Sequence, residues 1–147
     1  SDWKKGKAEL GYGDGDEATA VDRGPDPSTK YHTTIYFRKI FEIDNFSNKA
    51  LLIKLLRDDG AVVYLNGEEL FRSNMKAGTI RSSGYSEKRN SSRDSRKLFS
   101  YLIDLPNFKN GASNFAVEVH RGSRSDKDLS FNFEATLMDA GGIPVAV

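Results

Sequence analysis

The segment Arg57-Asp58-Asp59-Gly60-Ala61-Val62-Val63-Tyr64-Leu65-Asn66-Gly67-Glu68-Glu69-Leu70 constrains this chain more than any other. It holds two tight-turn pairs, Asp59-Gly60 and Asn66-Gly67, on either side of a short apolar run. Glycine takes positive φ without strain, and Asn and Asp tolerate it better than most residues. Each pair therefore predicts a reversal, and Val62 to Leu65 between them predicts a β-strand.

Elsewhere the apolar residues repeat at two, not at 3.6. Ile35, Phe37, Phe41 and Ile43 would share one face of a strand. Leu51 to Leu56 is nearly continuous, as in a central strand covered on both faces. Phe99 to Leu105 is a further run, ended by Pro106. Phe115, Val117 and Val119 alternate with Ala116, Glu118 and His120, and Leu129 to Leu137 alternates most cleanly. Six or seven strands result, with no amphipathic helix among them, which predicts a β-sandwich or barrel. At 147 residues the chain reads as one domain, 1–147, and nine Phe and six Tyr suit a core filled from two inner faces. The start at Ser1-Asp2-Trp3 reads as that of a piece cut from a larger multidomain protein.

Several classes are disfavoured early. The net charge of +1 gives no global attraction to nucleic acid or membrane. No apolar stretch is long enough for a transmembrane helix. The absence of cysteine removes disulfides and thiolate metal sites. Two histidines, His32 and His120, lack metal-ligand spacing, and no nucleophile elbow, phosphate loop or dinucleotide fingerprint occurs. The expectation is a protein that is not an enzyme, a monomer with neither nucleic acid nor membrane as partner.

The charge is nevertheless segregated. Asp14 to Pro27 is acidic and reads as a long loop. Arg72 to Lys97 carries eight basic residues against Glu87 and Asp94, and its Ser82 to Ser95 portion is rich in Ser, Gly and Asn. That stretch reads as a basic surface loop.

Trp3, Leu10-Gly11-Tyr12-Gly13 and Tyr36-Phe37-Arg38-Lys39-Ile40-Phe41 resemble the opening of a galactose-binding-like jelly-roll accessory domain of secreted bacterial proteins. Asp58 to Gly67 with Arg72-Ser73-Asn74-Met75 resembles its middle, and Asn114 to His120 with Ser125 to Phe131 its end. Such domains are similar to carbohydrate-binding modules. The resemblance implies an all-β, antiparallel jelly-roll sandwich, secreted and extracellular. It further implies a non-catalytic module that binds a polysaccharide and targets a covalently attached catalytic domain to it. Gly111-Ala112-Ser113-Asn114 carries one residue more than the usual pattern, and the basic insertion after Met75 departs from it.

Those departures locate the expected specificity. Guanidinium groups clamp sulfate or carboxylate with paired hydrogen bonds, so the basic loop predicts an anionic glycan, sulfated or uronic acid. The candidate ligand-binding residues there are Arg72, Asn74, Arg81, Tyr85, Lys88, Arg89, Arg93 and Arg96, with Tyr85 as a stacking platform. A second set, Arg38, Glu118 and His120, would point outward from one sheet as a sugar-binding floor. The plainer readings are a solvated loop and a cross-strand Arg38–Glu118 pair that only strengthens the fold. One structural Ca2+ is the expected cofactor. Its ligands stay open among Asp14, Asp16, Glu17 and Asp22, or Asp58 and Asp59, or Asp126 and Asp128, with Asp59 also a turn former. The alternative function is a structural or protein-interaction sandwich module.

Overall fold

The computed structural model describes residues 2–26, 30–43, 49–104 and 111–139. Two sheets form the predicted all-β sandwich. The first contains β1 (Leu10–Tyr12), β2 (Thr19–Ala20), β4 (Lys49–Asp58), β7 (Phe99–Asp104) and β9 (Leu129–Asp139). The second contains β3 (Thr34–Ile43), β5 (Gly60–Leu65), β6 (Glu68–Ser73) and β8 (Gly111–His120). Strand order is β2-β1-β9-β4-β7 in one and β3-β8-β5-β6 in the other. The chain changes sheet at every step except β1 to β2 and β5 to β6, which is the path of a jelly roll. All pairings are antiparallel except β1 with β2.

The period of two puts one set of side chains between the sheets. Leu51, Ile53, Leu55, Leu129 and Leu137 from the first sheet meet Val63, Leu65, Phe115, Val117 and Val119 from the second. Each such side chain, fully buried, contributes about 1.5–3 kcal/mol. Ring pairs cross the layer: Phe37 stacks on Phe131 at 4.2 Å and Phe71 on Tyr101 at 4.1 Å. Ile35, Phe37 and Phe41 pack against this core as the sequence predicts, whereas the Ile43 side chain, Leu105 and the prolines Pro27 and Pro106 lie outside the described residues.

Nine strands are described against the six or seven expected. The sequence reading missed β6 because Glu68-Glu69-Leu70-Phe71-Arg72-Ser73 does not alternate. It missed β1 and β2 because they are very short, and β2 lies inside the stretch expected to be one long acidic loop. Strand β4 is buried on both faces over its last four residues, Leu55 to Asp58, and a single 3-10 turn at Asp94–Arg96 packs against the strand. At its centre Lys54 is exposed.

The two turn pairs behave differently. Asn66 and Gly67 have φ of 51° and 86°, as a two-residue hairpin between β5 and β6 requires. Asp59-Gly60 instead is the corner where the chain leaves β4 for β5 in the opposite sheet. Gly60 is required by close approach: a Cβ there would lie 2.6 Å from Met75 Sδ and 2.7 Å from the Asn74 carbonyl oxygen.

Candidate functional site

The β4–β5 corner carries two adjacent buried carboxylates. Asp58 and Asp59 are both only 3% exposed, although each carries a carboxylate. Asp59 Oδ1 accepts a hydrogen bond from the Asn90 backbone N–H at 2.6 Å, and its Oδ2 accepts one from Gly122 N–H at 2.5 Å. Asp59 is thus a turn former in a wider sense than expected, since both donors are distant in sequence.

This corner also fastens the basic stretch. Asn74, with φ of 55°, donates from Nδ2 to the Asp59 and Lys88 carbonyl oxygens, while its Oδ1 accepts from the Lys88 N–H. Buried Arg57 donates to Ser73 Oγ and to Asn90 Oδ1, and Asn90 Nδ2 returns a bond to the Arg57 carbonyl oxygen. The stretch expected to be a solvated loop is therefore pinned at several points. Both Nδ2 hydrogens of Asn74, a candidate ligand-binding residue, are thus engaged in the pinning.

Between the corner and the pinned stretch lies an open cavity of about 510 Å³, lined by Asp58, Asp59, Arg89, Asn90, Ser91, Ser92, Ser95 and Asp128. Three of its lining residues are carboxylates, against one guanidinium. Oxygens of Asp14, Asp58 and Asp128 lie within 4.8 Å of one another, and Ser130 Oγ donates to Asp14 at 2.9 Å. Burial, then the charge of Asp59 and a hydrogen bond between the two carboxyls, push Asp58 up to about 8. Burial also raises Asp59, offset by the Asn90 and Gly122 N–H groups, and burial with Asp14 nearby raises Asp128. Asp126 sits beside them at 1% exposure: a Cβ on Gly122 would touch both Asp59 Oδ2 and Asp126 Oδ2. Arg89 Nε approaches Asp126 Oδ1 at 2.5 Å, but off the hydrogen-bond direction, and Asp126 Oδ2 has no partner. Asp14, Asp58 and Asp128 are the hard oxygen donors here that could hold a divalent cation, and the orphaned Asp126 oxygen lies outside that group.

The sequence-predicted basic residues divide. Arg72 is bound to Glu69 through two nitrogens and donates to the Lys76 carbonyl oxygen, so its charge is already paired. Arg89 lines the cavity. Lys88, Arg93 and Arg96 adjoin lining residues in sequence, are exposed, and have no ion pair among the described residues. Arg81 is exposed further along, at a turn closed by Gly84 N–H on its carbonyl oxygen, and Tyr85 beside it is 37% exposed. What the sequence reading missed is the convergence of Asp14, Asp58 and Asp128 from three remote segments. Each was a candidate, but their joint position depends on the fold.

The other predicted set lies on the outer face of the second sheet. Arg38 and Glu118 do line one groove there. His120 does not join them at the surface. It is fully buried beneath the pinned stretch, with Nδ1 2.7 Å from the Gly84 carbonyl oxygen and 2.8 Å from Thr34 Oγ1, and Thr34 donates to the Ser82 carbonyl oxygen. His120 is an internal strut, which corrects its assignment as a ligand-binding residue. The outer row it shares with Glu118 is covered at one end by residues 82–84.

No family model matches this chain, and no curated protein matches it. Among solved structures it is similar to a Streptomyces avermitilis alpha-L-rhamnosidase complexed with L-rhamnose, at 19% sequence identity and a TM-score of 0.50. The match covers 81% of this chain and 10% of that one, so this chain corresponds to a small part of the larger protein. The likeness shows the sandwich fold. Among the described residues, no helix is long and apolar enough to cross a membrane.

Proposed function

We propose that this sandwich is a non-catalytic carbohydrate-binding module of a secreted bacterial protein. It holds an attached catalytic domain on an anionic polysaccharide. The observation that carries the reading is the open polar cavity lined by Arg89, Asn90, Ser91, Ser92 and Ser95, with exposed Lys88, Arg93 and Arg96 next to these in sequence and in no ion pair among the described residues. Sugar hydroxyls both donate and accept, and the cavity offers both roles: Ser91, Ser92, Ser95 and Asn90 beside Asp and Arg. These basic side chains would attract sulfate or carboxylate groups of the polymer, with Arg81 as an outlying contact. Similarity in fold to part of an enzyme solved with a sugar supports the ligand class.

The cavity itself is acidic, which would repel such a polymer. Asp14, Asp58 and Asp128 would hold a divalent cation such as Ca2+, with Asp59 and Asp126 close by. Bound there, the cation would cancel the carboxylate charge and supply coordination sites for sugar oxygens. Arg89 then contributes its guanidinium to the ligand side of the cavity.

The test is affinity electrophoresis of the domain in gels containing carrageenan, a sulfated polymer, or polygalacturonate, a uronate polymer. Retardation is expected to fall steeply with added salt, because exposed charges are screened. It should also fall in the combined variant Arg81→Gln, Lys88→Gln, Arg93→Gln, Arg96→Gln. Retardation by neither polymer, or retardation indifferent to salt and to that variant, overturns the reading.

A further inference from the structure

The outer face of the second sheet carries a groove that shares no residue with the acidic cavity. It has a volume of about 330 Å³ and is lined by Trp3, Tyr36, Arg38, Tyr64, Ala116 and Glu118, among others. Strand register explains its shape. On this face Tyr36 stands opposite Glu118, and Arg38 opposite Ala116, which in turn stands opposite Tyr64 of β5. Ala116 is thus a small residue between two large ones, and the dip over it becomes the floor. Asn114 and Glu118 extend the floor along β8 in both directions, a span of about 14 Å from the strand rise.

The walls are aromatic and unusually open. Trp3 is 46% exposed and Tyr36 48%. The Arg38 guanidinium lies 4.1 Å over the Trp3 ring and makes no hydrogen bond among the described residues. On the other wall the Tyr64 hydroxyl donates to Glu118 Oε1 at 3.1 Å, leaving Glu118 Oε2 without a described hydrogen bond. Burial and the Glu118 carboxylate push Tyr64 up to about 12, so this donor keeps its proton. The groove therefore presents flat rings, one set of unused N–H donors and one unused carboxylate oxygen. Its two charges have opposite sign, so it does not select a charged ligand.

We propose that this groove is a second glycan site, independent of cations, that takes a neutral chain of pyranose rings running along β8. A pyranose matches what the groove offers. Its apolar C–H face covers an aromatic ring, and its hydroxyls accept from Arg38 and donate to Glu118 with no charge to neutralise. A charged ligand of either sign would face a like charge within the same groove.

The chain contains a single tryptophan, Trp3, so its fluorescence reports on this groove. The experiment titrates the chelator-treated domain with neutral cello-, xylo-, manno- and galacto-oligosaccharides while following that emission. At least one series should give a saturable change. Ala116→Leu fills the floor from the solvent side without removing a core contact, and should weaken that binding at least about tenfold, the effect of losing one ring contact. Tyr36→Ala should do the same, and replacing the chelator by added Ca2+ should leave the titration unchanged. The site is overturned if no series saturates, if Ala116→Leu binds as the unaltered protein does, or if binding is seen only with added Ca2+. Failure here leaves the salt-dependent retardation by acidic polymers untouched, and failure of that retardation leaves this titration untouched.

Discussion

Replacing Asp58 by asparagine is the most direct probe of the acidic cavity. Asp58 ionises near 3.8 in an unfolded chain and near 8 in the folded, cation-free protein. Between those values the folded state holds one proton more than the unfolded state, so raising the pH favours unfolding. One proton corresponds to about 1.4 kcal/mol per pH unit, which gives a loss of about 3 kcal/mol between pH 5 and pH 7. For a domain of this size that is a fall in Tm of about 6 to 12 °C. Asp59, Asp128 and Glu9 are raised in the same direction, burial being the largest cause in each. Asp58→Asn places an uncharged group of the same shape where the protonated carboxyl sat. At pH 5 the variant should match the parent in stability. At pH 7 it should be the more stable of the two, with a slope shallower by about 1.4 kcal/mol per unit. The assay is urea unfolding in chelating buffer across this pH range. Adding Ca2+ to the parent should restore stability most at the higher pH, because a cation favours the ionised carboxylates. A slope unchanged by Asp58→Asn, or stability that rises with pH in chelator, would refute the reasoning.

Two further outcomes follow from the packing. His120→Ala removes the buried partner of the Gly84 carbonyl oxygen and Thr34 and opens a void between β8 and residues 82–84, costing about 2–4 kcal/mol in urea unfolding. His120→Gln, which can still donate to Gly84, should recover part of that loss. Gly60→Ala drives a methyl into Met75 and the Asn74 backbone, and should lower stability by about 1–3 kcal/mol in the same assay. By contrast, alanine at Gly67 meets no neighbour, so its cost is only that of the positive φ.

Much of the scaffold was legible because a buried strand must alternate. The inward residues Phe115, Val117, Val119, Leu129 and Phe131 stand in the core as the pattern required. The Asn66-Gly67 hairpin was legible because its φ values suit few other residues. Strand β6 was not, since it lies at the edge of its sheet and its polar outer residues, Glu69 and Arg72, pair with each other. The site was legible only in part. Arg38 and Glu118 do share a groove, but His120 has the same outward register and is nonetheless buried, because a segment some forty residues earlier folds over it.

By itself, then, the sequence determined the strand pattern, one hairpin and the separation of acidic from basic segments, all of which depend on neighbours close along the chain. The tertiary structure alone decided what the Asp58-Asp59-Gly60 phrase does. It made the phrase a corner between sheets, brought Asp14 and Asp128 to it, and pinned the basic stretch across it through Asn74 and Asn90. Those contacts join residues from remote parts of the chain, and carboxylates reveal their shared burial and mutual repulsion only once the fold has brought them together.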